Sequence, residues 1–134
     1  MSNLCARSDA AAVLALAIAK AAVGLAVFHF GFSHVSDDDF ARTVIAQSFA
    51  HAPRLDPSGT SWLPFPFWLN GGLMMLFGRT LTMARLLAFA LGVVSIAPPF
   101  LALRLVGMTR WVACLATALA MASPWNAWLG VATV

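Results

Sequence analysis

The chain has 134 residues, 61% of them hydrophobic and only 10% charged, with a mean hydropathy of +0.86. Soluble domains run nearer roughly 45–50% apolar and about 25% charged, so this composition excludes a water-soluble monomer and equally an intrinsically disordered chain. The net charge of +3 comes from eight basic residues scattered along the sequence, which argues against nucleic acid as a partner and leaves an integral membrane protein.

Residues 10–32 form the first apolar stretch, preceded by Arg7 and Asp9 and interrupted by Lys20. At about 1.5 Å per residue it can cross a bilayer core of roughly 30 Å. A cleaved signal peptide is the competing reading. Against it, the stretch is long, Lys20 breaks the would-be apolar region, and Phe28-His29-Phe30 stands where small residues would be needed for cleavage. An uncleaved transmembrane helix is expected, with Lys20 snorkelling or turned toward neighbouring helices.

Residues 33–61 are polar and carry four of the five acidic residues: Asp37, Asp38, Asp39 and Asp56. Ser36-Asp37-Asp38-Asp39 fits an S-x-x-D capping signal, with the acids well placed at a helix N-terminus. Beyond it, Phe40, Val44, Ile45, Ser48 and Phe49 fall near one helical face, and Arg42, Gln47 and His51 fall elsewhere. This predicts a short amphipathic helix lying along the membrane surface. Pro53 stops it, and Asp-Pro and Ser-Gly turn chemistry makes residues 55–60 a loop.

The apolar stretch WLPFPFWLNGGLMMLF over residues 62–77 is short. Pro64 and Pro66 disturb its start and Asn70-Gly71-Gly72 weakens its middle, so an interfacial or re-entrant segment is expected. Trp62 and Trp68 suit the headgroup region. A second span follows over residues 81–105, with Arg85 near one end and Pro98-Pro99 expected to kink it. After the basic turn RLVGMTR, a third span is expected over residues 111–130. The apolar finish at Val134, with no polar tail, predicts an incomplete chain. The predicted fold class is therefore an all-α membrane protein, with about three transmembrane helices and one or two interfacial helices in a loop over residues 33–80.

Orientation is weakly encoded. Arg7, Arg104 and Arg110 fall on one side, and Arg42, Arg54 and Arg79 on the other. The short N-terminus and short basic turn favour the first side as cytoplasmic, which makes the Asp-rich loop external.

Three successive carboxylates at a membrane surface raise one another's pKa, and membrane-adjacent acids often line substrate or ion paths. By residue type alone Asp37, Asp38 and Asp39 could supply a general base, bind a divalent cation through oxygen ligands, or only cap the helix. His29, His34 and His51 have no i, i+4 pairing of the kind a helical zinc site uses, and read as interfacial histidines. Cys5 and Cys114 are placed for neither a disulfide framework nor a zinc motif.

The order of these segments resembles the N-terminal part of the GT-C fold glycosyltransferases, the polyprenyl-phosphate-sugar-dependent enzymes that include protein O-mannosyltransferases and lipid A aminoarabinose transferases. SDDDFARTVIAQSFA resembles the family's first external loop, an acidic pair followed by a helix with an Ile-Ala patch. SWLPFPFWLNGGLMMLFG resembles its proline-led aromatic segment, RLLAFALGVVSIAPPFLALRLVG the next span and its basic end, and ASPWNAWLG the Ser-Pro after the third span. Together these cover most of residues 35–130, and their order carries most of the specificity.

The resemblance implies inverting sugar transfer from a polyprenyl-phosphate donor to a hydroxyl of a glycan, lipid or protein acceptor, at the external face of a bacterial inner or cell membrane. Placing Ile45-Ala46 on the family's Ile-Ala aligns Asp38 with the first acid, the base or a contributor to acceptor and metal binding, and Asp39 with the second. Asp37 is an extra acid that a one-residue slip would make the base, and Asp39 departs mildly from the family's frequent Glu. A leaving phosphate calls for a nearby cation; Arg42, Arg79 and Arg85 are the candidates within the chain, and Trp62 could stack on a sugar. A divalent cation could take part, although no metal ligand is assigned. Family members are several times longer, so the chain is expected to be inactive alone. Two rival classes stay open: a non-catalytic membrane subunit whose acids only cap a helix, and a transporter fragment using them for ion coupling.

Overall fold

A computed structural model describes residues 2–31 and 37–129. Among these the chain is all-helical: α1 (Ser2–His29), α2 (Asp37–His51), α3 (Phe65–Phe77), α4 (Leu81–Val94), α5 (Ala97–Leu105), α6 (Arg110–Ala122) and α7 (Pro124–Leu129). The Ser36 cap, His34, the Phe32 end of the first stretch and the residue-130 end of the third lie outside the described residues.

Among the described residues, two helices are long and apolar enough to cross a bilayer, Arg7–His29 and Leu81–Leu105. Only 11% of either apolar window is buried. Leu14, Ile18 and Leu25 of the first, and Leu86, Val94 and Leu101 of the second, face outward. Such outward apolar surface is what a lipid-facing helix presents and a soluble core helix does not.

The first helix ends earlier than the apolar pattern suggests. Its last turn closes at Phe30 and Gly31, whose φ of 82° is a left-handed conformation that glycine adopts without strain. The second is interrupted at Ser95-Ile96, where Pro98 and Pro99 lack the N–H groups that would bond the carbonyls four residues back. Ser95 Oγ donates back to the Gly92 carbonyl at 2.8 Å.

The third apolar stretch is not one helix. α6 has 13 residues, about 20 Å of length. Ser123 then takes an extended conformation, φ −64° and ψ 133°, and Pro124 starts α7 afresh. α6 alone is shorter than the roughly 30 Å of a bilayer core.

Pro64 and Pro66 start α3 rather than disturb it. Proline is tolerated in a helix's first turn, where its missing N–H has no intrahelical partner to lose. Nor does Asn70-Gly71-Gly72 break the helix. A Cβ on Gly71 would lie 2.8 Å from the Ala46 carbonyl oxygen and collide with the Phe49 ring, so this glycine is what lets α2 and α3 approach so closely.

The most deeply packed stripe of α2 lies beside the apolar face. Asp39, Thr43 and Ala46 are buried and Ala50 partly so. Of the apolar face, Ile45 and Phe49 are partly buried and Phe40, Val44 and Ser48 exposed. Small side chains on this stripe admit α3, and Ala46 joins Met74 of α3 and Ala84 of α4 in a core cluster. The α2–α3 pair is thereby docked against the start of α4.

Three contacts give the helices their directions. Arg104 Nε and Arg110 Nε donate to the two carboxylate oxygens of Asp9, at 3.0 and 2.9 Å, tying the start of α1 to the α5–α6 turn. At the other end of α1 the Phe28 ring lies 6.3 Å from that of Phe89 in α4. α1 therefore runs opposite to α4 and α5 and alongside α6. Midway, Lys20 Nζ donates to the Asn126 carbonyl at 2.5 Å.

Candidate functional site

The acidic triplet opens α2 at the end of α1 remote from the Asp9 cluster. A helix turns about 100° per residue, so three consecutive side chains cannot share a direction. Asp37 and Asp38 are exposed, and Asp39, at 2% exposure, is turned into the protein. The Asp39 carbonyl accepts from Thr43 Oγ1 at 2.8 Å within the same buried stripe. Among the described residues no three His, Cys or Asp side chains are gathered to hold a metal ion. The triplet's chemistry is that of two solvent-facing carboxylates on a helix start whose dipole favours negative charge.

One turn along α2 from Asp38 stands Arg42. Its guanidinium lies 5.3 Å from the centre of the Trp62 ring, which stacks on Phe67 at 6.0 Å and an interplanar angle of 29°. Phe67 is buried at the base of α3 and fixes the stack. The loop that delivers Trp62 is held by its own polar groups. Asp56 Oδ1 accepts from Ser58 Oγ and from the Gly59 N–H, at 3.2 and 3.0 Å, and Ser58 Oγ in turn accepts from the Thr60 N–H at 3.1 Å. Asp56 is thus committed to a turn. Trp68 anchors the same loop by donating from Nε1 to the Leu55 carbonyl at 3.2 Å.

The structure therefore brings Trp62, from the loop before α3, against Arg42 on the helix that carries Asp38. Arg85 stands apart. It lines a cavity of about 310 Å³ between α1 and α4, with Leu25, Phe28, Thr82, Leu86 and Phe89, and no hydrogen bond, ion pair or ring contact joins it to the acids. Arg79 joins His51 and Arg54 around a separate open cleft of about 390 Å³. There Gln47 Nε2 donates to the Arg79 carbonyl at 3.0 Å.

Two features escaped sequence reasoning. The basic cleft of His51, Arg54 and Arg79 is assembled from two helix ends nearly thirty positions apart, and spacing gives no sign of it. The Asp9–Arg104–Arg110 cluster had a usable signal, an acid at the start of one span and arginines flanking the basic turn after the next. Lys20 does face a neighbouring helix, and its partner is the carbonyl of Asn126 in the short helix after the Ser-Pro break.

Compared with models of known families, with curated proteins and with solved structures, the chain has no significant match.

Proposed function

We propose that this chain is a membrane glycosyltransferase segment of the GT-C type, with α1, α4–α5 and α6–α7 as three membrane passages. Residues 33–80 lie on the external face. In this reading Asp38 takes the proton of an acceptor hydroxyl as that oxygen attacks the anomeric carbon of a polyprenyl-phosphate sugar. The C–O bond to phosphate breaks with inversion, and the lipid phosphate leaves with the bonding pair. Asp37 is the alternative base, Asp39 holds the helix start in place, and the Arg42–Trp62 pair supplies a cationic and aromatic wall for the sugar.

The observation that carries this reading is the exposed Asp38 carboxylate, one helical turn from a guanidinium stacked on an indole. An acid, a cation and an aromatic face are the groups that glycosyl transfer from a phosphate needs. A second reading is a non-catalytic membrane subunit. It is favoured by the burial of Asp39, whose place in the packed stripe is structural.

The test is transfer of radiolabelled sugar from polyprenyl phosphate in membranes containing the intact gene product. Asp38→Asn is expected to lower the rate about a hundredfold or more, with Asp37→Asn nearly silent. Unaltered transfer in the Asp38 variant rejects that residue as the base, and loss confined to the Asp37 variant moves the role by one position. Cysteine labelling around Asp38 from the cytosolic side only would reject the orientation.

A further inference from the structure

Between the C-terminal half of α1 and the first turns of α4 runs a cleft of about 310 Å³, lined by Leu25, Phe28, Leu86 and Phe89, with Thr82 and Arg85 as its polar members. Leu25 and Leu86 are more than half exposed, so the cleft opens sideways between the two helices long enough to span a bilayer. Arg85 Nε is removed from solvent and has no hydrogen-bond partner among the described residues. A buried guanidinium donor without an acceptor is costly. The acceptor that best matches a guanidinium is a carboxylate or a phosphate.

Depth narrows the choice. Arg85 sits four residues after the start of α4, about 6 Å along the helix axis, which is headgroup depth for a helix that enters the bilayer at Leu81. The lining beneath it is aliphatic and aromatic. A ligand that fits must present an anion at that depth and a hydrocarbon chain below it.

We propose that this cleft is a binding site for an anionic bilayer phospholipid. Arg85 donates to the headgroup phosphate, and one acyl chain lies along Leu25, Phe28, Leu86 and Phe89. Thr82, one helical turn before Arg85 and on the same face, supplies a hydroxyl at the headgroup. The bound lipid occupies the upper part of the α1–α4 seam. The site is independent of glycosyl transfer and of the external acids.

The experiment is native mass spectrometry and thermal unfolding of the full chain in zwitterion-free detergent, titrated with dioleoylphosphatidylglycerol. Parallel arms use dioleoylglycerol, inorganic phosphate and a polyprenyl phosphate. One phosphatidylglycerol is expected to stay bound and to raise the unfolding temperature, while dioleoylglycerol and inorganic phosphate do neither. Arg85→Gln should weaken phosphatidylglycerol binding about tenfold. Leu86→Trp, which fills the cleft and leaves the guanidinium in place, should do the same and covers the case in which the arginine variant fails to fold. Equal binding by wild type and Leu86→Trp overturns the proposal. So does stabilisation by inorganic phosphate alone, or displacement of phosphatidylglycerol by an equimolar polyprenyl phosphate. No arm reads glycosyl transfer, so failure here leaves the catalytic reading to its own test.

Discussion

Lys20, midway along α1, donates its Nζ proton to the backbone carbonyl of Asn126, 106 positions later, at 2.5 Å. The break at Ser123-Pro124 is what turns this part of the chain away from the α6 ladder. Asn126 then folds its own side chain back, donating from Nδ2 to the Ala120 carbonyl at 2.8 Å, so both ends of the break are held by polar contacts.

A carboxylate at position 20 would set like partial charges against each other in a buried seam. Lys20→Glu is expected to destabilise the protein by about 3 kcal/mol or more. Lys20→Gln, which keeps an N–H donor, should cost roughly 1–2 kcal/mol. Reversible unfolding in mixed micelles measures both.

Asp9 bridges two guanidiniums that would otherwise repel, and Arg104 also reaches the Met108 carbonyl across the turn. Asp9→Asn should loosen the start of α1 and the α5–α6 turn together, raising amide exchange at both by about tenfold while the α2–α3 pair is unaffected. High salt should narrow the difference between wild type and variant, because part of the interaction is screened. Exchange that rises at only one of the two segments would mean the bridge does not couple them.

Gly71 and Gly72 are adjacent in α3 yet opposite in consequence. A methyl on Gly71 meets the Ala46 carbonyl oxygen and the Phe49 ring, whereas one on Gly72 meets nothing within 4 Å. Gly71→Ala is expected to cost about 1–3 kcal/mol through overpacking. Gly72→Ala should stabilise by roughly 0.5–1 kcal/mol, since alanine loses less backbone freedom in a helix. Chemical unfolding of the pair decides it, and equal effects would contradict the close approach of α2 to α3.

Arg42 and Trp62 should show a coupling of about 0.5–1 kcal/mol in a double-mutant cycle built from Arg42→Gln and Trp62→Leu. Arg42→Lys, with its rounder and more hydrated cation, should recover only part of it. Additive single effects would remove the pair as a preformed wall.

The helices were more legible than their faces. The acidic start and Pro53 delimit α2, and Pro98-Pro99 marks the α4–α5 junction, because caps and prolines act locally on the backbone. Which side of α2 packs was hidden. In a protein that meets both lipid and protein, apolar side chains suit either neighbour, and the packed stripe of Asp39, Thr43 and Ala46 is chosen by smallness instead. The third apolar stretch misled by length, since continuous hydropathy across Ser123-Pro124 conceals a change of direction. Of the candidate site, Asp38 and Arg42 share a helix and could be placed together from sequence. Their neighbour Trp62 arrives through an irregular loop whose path depends on Asp56, Ser58 and Gly59, and no periodicity reports that.

The span of 106 positions between Lys20 and its acceptor has a consequence for biosynthesis. α1 emerges from the ribosome long before α7 exists, so its ammonium group must wait through the insertion of every intervening segment without its eventual neighbour. Until α7 is made, that group must find its acceptors elsewhere, in water or lipid headgroups, because a buried donor without one is costly.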